Sequence, residues 1–176
     1  MTPDNSELWF LPLGGCGEIG MNLNLFGHDG HWLMVDCGVT FEQGARGNRV
    51  QMPDPDFIAQ HCDKLVGLIA THAHQDHIGA IHLLWQHFKC PIYATQFTAH
   101  VVQTKLRREG CAAPVIVVEQ NAVQQLGPFT VRWLPITHST AETSALLIDT
   151  SAGSILHTAD WKVDHAPVVG KAFDDE

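Results

Sequence analysis

Positive charge is scarce in this chain: ten Lys and Arg stand against nineteen Asp and Glu, a formal net charge of −9 over 176 residues. Sequence-independent binding along a phosphate backbone depends on Lys and Arg. A nucleic-acid substrate would therefore have to be held by bound cations, or by basic residues outside this sequence. No apolar run approaches the roughly 20 residues that a membrane helix needs, so no membrane association is expected. Met1 to Glu7 is polar and acidic, unlike a secretory signal. Cys16, Cys37, Cys62, Cys90 and Cys111 are odd in number and never form a C-x-x-C pair, which argues against a disulfide framework and against a cysteine-built zinc site. Free thiols in a reducing cytoplasm are the expectation, with Cys37 a candidate for a supporting place near a site. Repeats, low-complexity stretches and long linkers are also lacking, so one domain spanning 1–176 is expected. A hydrophobic fraction of 45% and a charged fraction of 16% are ordinary for a soluble globular chain.

What is present reads as short strands interleaved with a few helices. Leu8–Leu13 is an apolar run that ends in the glycine-rich loop Gly14-Gly15-Cys16-Gly17-Glu18-Ile19-Gly20. Asn22–Phe26 and His31–Val35 flank the hairpin signal Gly27-His28-Asp29-Gly30. Gln43–Pro55 is polar, with Gly, Asn and Pro, and is expected to be a loop. Asp56 is placed to cap a short helix. Leu65–Ala70 predicts a buried strand, Ile78–Phe88 carries apolar residues at helical spacing, and Pro91–Ala94 predicts another strand. Gln96–Glu109 predicts a helix closed by Gly110. Val115–Val118, Phe129–Leu134, Ser144–Ile148 and Ser154–His157 predict further strands, while Asp164–Glu176 shows no clear element. This pattern suggests an α/β fold with sheets covered by helices.

Histidine is abundant, at twelve residues. Seven of them (His28, His31, His61, His82, His87, His100 and His165) are scattered and read as surface or packing residues. The densest signal is Thr71-His72-Ala73-His74-Gln75-Asp76-His77, with four potential ligands between a strand and a helix. Imidazole nitrogen and carboxylate oxygen suit zinc and similar metals. An H-x-H-x-D-H run on a turn can aim at two neighbouring points, unlike H-E-x-x-H on a helix, which builds one site. A polar loop with clustered histidines is the competing explanation, but such groups are costly to bury without partners. Further strands end on His138 and on Asp160. Alone these two would be ordinary loop residues; with the cluster they supply a third nitrogen and a carboxylate able to bridge two metals.

The H-x-H-x-D-H run, followed by a downstream His and a downstream Asp on strand ends, resembles the metallo-β-lactamase superfamily along nearly the whole chain. Leu13-Gly14-Gly15-Cys16-Gly17-Glu18-Ile19-Gly20-Met21-Asn22, Val35-Asp36-Cys37-Gly38, Thr71 to Ala80, Pro91-Ile92-Tyr93-Ala94-Thr95, Thr137-His138-Ser139-Thr140 and His157 to Asp164 narrow the resemblance to ribonuclease J, in the β-CASP group of RNA-processing nucleases. It implies an αββα sandwich, here its N-terminal half, and two Zn2+. His72, His74 and His138 would hold one zinc, Asp76 and His77 the other, and Asp160 would bridge both. Asp36 would orient a ligand histidine; as a turn residue closing a strand it has an equally good alternative role. The glycine loop lacks the G-x-G-x-x-G spacing of a dinucleotide fold and reads as a tight loop near the metal edge, its shape fixed by Glu18 and Asn22.

The same resemblance implies hydrolysis of RNA phosphodiester bonds by a metal-activated water, with Asp76 also steering or accepting a proton. A full ribonuclease J inserts a β-CASP domain and then returns to complete the first domain, adding a histidine for the second metal. Neither part is present here, and His165 does not match that ligand. Gln75, Ala159 (where glycine is usual) and Ala141-Glu142 are smaller departures. Two alternatives stand beside the nuclease: a thioester or lactone hydrolase of the same fold, and a metal-binding module without catalysis. An incomplete sheet edge gives reason to expect a homodimer.

Overall fold

Alternation along the strands decides the architecture. In β2 (Leu23–His28), β3 (His31–Val35) and β6 (Leu65–Ala70) nearly every residue is buried, so these strands carry apolar side chains on both faces. Leu23, Leu25, Trp32, Met34, Leu68 and Ala70 belong to one core, while Phe26, Leu33, Val35 and Ile69 belong to a second. Successive side chains in a strand point to opposite faces; a sheet read this way must be covered on both sides.

The structure is a computed structural model that describes residues 2–44 and 47–173. Its larger sheet adds β1 (Trp9–Gly14), β7 (Ile92–Thr95) and β8 (Val115–Val118), in the order β1-β2-β3-β6-β7-β8. β2 is antiparallel to both of its neighbours, β1 and β3, and β3, β6, β7 and β8 run parallel. A second, antiparallel sheet of β12 (Gly153–His157), β11 (Ser144–Thr150), β10 (Phe129–Pro135) and β9 (Val123–Leu126) packs on one face. Helices α1 (Asp56–Ala59), α2 (Gln75–Ile78), α3 (Ile81–Phe88) and α4 (Gln96–Arg108) contribute Ile58, Ile78, Ile81, Leu84, Phe88, Ala99, Val102 and Leu106 to the core on the other. The result is an α/β sandwich in which, among the described residues, no helix contributes to the core between the sheets.

Several expectations are corrected. The stretch expected as a loop, Gln43–Pro55, instead contributes to the hairpin β4 (Thr40–Gly44) and β5 (Gly47–Gln51), where Phe41 pairs with Val50. Both side chains are more than half exposed, so no buried face imposed the alternation that would have revealed the strands. Ala45 and Arg46 of that stretch, like Asp174-Asp175-Glu176, lie outside the described residues. The short helix carries no side-chain cap from Asp56; the Asp54 carboxylate accepts the Asp56 N–H at 2.9 Å instead. The helix expected over Ile78–Phe88 is broken into α2 and α3. Its break comes from a bond to a distant part of the sequence: the Ala80 N–H donates to the Cys37 carbonyl at 3.0 Å, leaving the Asp76 carbonyl for other donors. Strand β9 went unread because its residues are mostly exposed.

Candidate metal centre

The larger sheet delivers Asp36 just past β3, His72 two residues past β6, and His74, Asp76 and His77 at the start of α2. The smaller sheet delivers His138 beyond β10 and Asp160 beyond β12. The Ser144 N–H ties the two sheets together here by donating to the Thr71 carbonyl at 3.2 Å, and within the smaller sheet the Lys162 N–H joins the segments that carry Asp160 and His138 by donating to the Thr137 carbonyl at 2.9 Å.

Three imidazole nitrogens converge. His72 Nε2 and His138 Nε2 lie 3.1 and 3.2 Å from His74 Nδ1, and Asp160 Oδ2 is 3.8 Å from His138 Nε2. On the other side of Asp160, its Oδ2 lies 3.5 Å from His77 Nε2, with Asp76 Oδ2 at 3.6 Å. Ligand atoms of His72, His74, His138 and Asp160 all fall within 4.8 Å of one another, and so do those of Asp76, His77 and Asp160. Asp160 is common to both groups.

The donor chemistry fits a metal. Three nitrogens at this spacing can share at most a proton or two, and packing their lone pairs together is repulsive without a cation. Borderline divalent ions favour such a nitrogen and carboxylate set. His72 is pushed down to about 3, chiefly by burial and then by the charge of His77; burial, followed by His74, also lowers His138. Both are therefore held neutral, the form in which imidazole donates to a metal.

His77 behaves oppositely. Burial disfavours its charge, but the carboxylate of Asp36, by charge and hydrogen bond, and then Asp160 and Asp76 raise it to about 9. Three carboxylates thus surround this ring and favour positive charge at it, whether a proton or a metal supplies that charge. Asp36 is fully buried and its Oδ2 lies 2.7 Å from His77 Nδ1, which leaves Nε2 facing Asp76 and Asp160. Thr71 secures Asp36 in turn: its N–H donates to Oδ1 at 2.8 Å and its hydroxyl to Oδ2 at 2.9 Å. Asp36 also has φ 63, so its turn geometry and its contact with histidine coexist.

Sequence reasoning gave no role to Thr71, nor to Ser139, whose Oγ is 3.3 Å from His74 Nε2. It also missed the contact of Asn22 with this turn. Single Ser, Thr and Asn residues carry no spacing signal that would have exposed these contacts. Cys37 meets the site through its backbone, the N–H donating to the His77 carbonyl at 2.7 Å; burial pushes its thiol far above the usual range. Among the described residues, the scattered histidines join neither ligand group. His28 is a packing residue, buried and bonded to the Glu7 carbonyl and the Ser151 hydroxyl.

A layered α/β sandwich with imidazoles and carboxylates gathered where its two sheets meet defines a metal-binding fold. The family model described as the metallo-beta-lactamase superfamily matches residues 20–162, and the chain belongs to that superfamily. It is similar to Ribonuclease J of Sinorhizobium meliloti, 42% identical over 178 residues, a match covering 97% of this chain and 32% of that protein. Ribonuclease J of Helicobacter pylori is 38% identical over 161 residues, covering 89% of this chain and 23% of that protein. The chain thus spans a third or less of the length of these relatives. Among solved structures, the metallo-beta-lactamase fold protein YhfI of Bacillus subtilis matches with a TM-score of 0.60 at 20% identity, covering 86% of this chain and 61% of that one. A protein of unknown function from Enterococcus faecalis matches at 0.67 and 17%, covering 90% and 44%. At those identities the likeness shows the fold alone.

Proposed function

We propose that this chain, as one domain over 1–176, is the metal-holding part of a cytoplasmic two-zinc hydrolase that cleaves RNA phosphodiester bonds. The observation that carries the reading is the pair of ligand groups sharing Asp160, in a chain 42% identical to a Ribonuclease J. His72, His74, His138 and Asp160 would hold one zinc, and Asp76, His77 and Asp160 the other. Bound there, the metals supply Lewis acidity that activates water and neutralises phosphate oxygens. The chain's own groups prepare that chemistry. Asp36, held by Thr71, keeps His77 Nδ1 occupied so that Nε2 stays presented. Asp76 has a side chain 37% exposed, so its carboxylate reaches the open side, where the oxygen not turned to the metal can receive a proton. Free thiols at all five cysteines suit a reducing compartment.

The test is zinc content per chain, together with cleavage of a 5′-monophosphorylated RNA oligonucleotide. Two zincs per chain, and cleavage lost in His74→Ala, are expected. Hydrolysis of a thioester or lactone in place of RNA would move the reading to a small-molecule hydrolase. Less than one zinc per chain would sink it.

A further inference from the structure

The glycine-rich opening, which the ligand groups do not use, closes on the turn that carries Asp76 and His77. Asn22 puts two donors on one acceptor: its backbone N–H at 2.9 Å and its side-chain Nδ2 at 3.1 Å both meet the Asp76 carbonyl. The same Nδ2 lies 3.2 Å from His77 Nε2, the nitrogen that Asp36 leaves free. The Asn22 amide is held in this sense by the loop around it. A Cβ at Gly15 would fall 2.3 Å from Asn22 Oδ1, and Gly15 has φ +86, so the bare backbone closes over the amide oxygen and turns the nitrogen towards Asp76. Behind it the Gly38 N–H donates to the Asn22 carbonyl at 2.9 Å. A flipped amide would set two oxygens against each other at the Asp76 carbonyl, which excludes the opposite orientation.

We propose that Asn22 is a positioning residue for the second metal: by holding the Asp76 carbonyl it fixes the backbone turn that aims the Asp76 carboxylate and the His77 ring at one point. An ordinary helix start would hand that carbonyl to the N–H four residues on. Here that donor, Ala80, is committed to Cys37, so removing the Asn22 side chain leaves the carbonyl, among the described residues, with the Asn22 backbone N–H as its one donor, and the turn is held less tightly. The G-G-x-G-E-I-G-x-N opening is then a clamp on the metal turn rather than a phosphate cradle.

The proposal rests on the two-metal reading, and zinc titration tests it without reference to RNA. Zinc binding is followed by calorimetry in the wild type, Asn22→Ala, Asn22→Leu (similar in size, with no side-chain donor) and Thr130→Ala. Thr130 serves as the control because its contact, donating to Gln125 Oε1 at 2.8 Å, stays inside the smaller sheet. His77→Ala identifies which equivalent belongs to the second position. Both Asn22 variants are expected to weaken that equivalent about tenfold or more, the range seen when partners behind metal ligands are removed. The other equivalent, and both in Thr130→Ala, are expected to keep wild-type affinity. Unchanged second-equivalent affinity in either folded Asn22 variant would overturn the proposal. So would equal weakening of both equivalents, or the same loss in Thr130→Ala, since either would indicate general loosening. A wild type that binds a single zinc would overturn it too, leaving RNA cleavage to judge the hydrolase reading separately.

Discussion

Ala159 immediately precedes the shared carboxylate and has φ 50. An L-residue in this region crowds its own Cβ against the backbone, at about 1–2 kcal/mol, a cost glycine does not carry. The strain is tolerated because the neighbouring backbone is fixed by the Lys162–Thr137 bond. Replacing Ala159 with Gly is expected to raise stability by about 1 kcal/mol, or about 2–4 °C in Tm for a chain of this size, with zinc stoichiometry unchanged. A calorimetric scan checks it; a lower Tm would show that the Ala159 methyl makes a contact worth more than the strain. At the same scale, Cys37 and Cys90 are buried and Cys16 and Cys62 exposed. Burial pushes the Cys90 thiol up to about 12, which withholds the reactive thiolate. Timed alkylation followed by mass spectrometry is expected to label Cys16 and Cys62 first; rapid labelling of Cys37 would contradict the packing beside His77.

At the scale of elements, the metal turn is a short backbone seam as much as a helix start. Val39 N–H donates to the Gln75 carbonyl at 3.0 Å, Cys37 N–H to that of His77, and Ala80 N–H to that of Cys37. Gly38 sits in the middle, where a Cβ would lie 1.6 Å from the Asp76 oxygen. Here the requirement is for space. Gly38→Ala is expected to cost about 1–3 kcal/mol, as overpacking does, and to weaken zinc binding; denaturant midpoints and zinc titration read both. This seam also explains what was legible. The candidate ligands His72, His74, Asp76 and His77 stood out because four metal-binding residue types fall within six positions, and the buried strands because burial on both faces forces apolar runs. The break at Gly79-Ala80 was not legible, because it arises from hydrogen bonds to residues about forty positions away. The hairpin β4–β5 was missed because its strands bury little and leave no periodic mark.

For the whole molecule, the charge balance and the site have to be reconciled. Cations are outnumbered by carboxylates, ten to nineteen, and some of them are engaged within the chain. Lys64 and Lys162 pair with Asp63 and Asp164, and Lys105 donates to Gln75 Oε1 and the Gly79 carbonyl, bracing the metal turn from α4. On the hydrolase reading, two bound divalent ions would then be the main positive charge the chain offers RNA, concentrated where the scissile phosphate must lie. Contacts to phosphates through Lys and Arg release counterions, and six to ten of them lose about 10³–10⁵ in affinity between 50 and 200 mM salt. A chain that engages one or two phosphates of a single strand is expected to lose only about three- to sevenfold across that range, yet to lose RNA binding altogether when a chelator strips the metal. Fluorescence anisotropy with a labelled single-stranded oligonucleotide separates the two effects. A steep salt dependence that survives chelation would place RNA on a basic surface of the chain, and would separate binding from the cluster around Asp160.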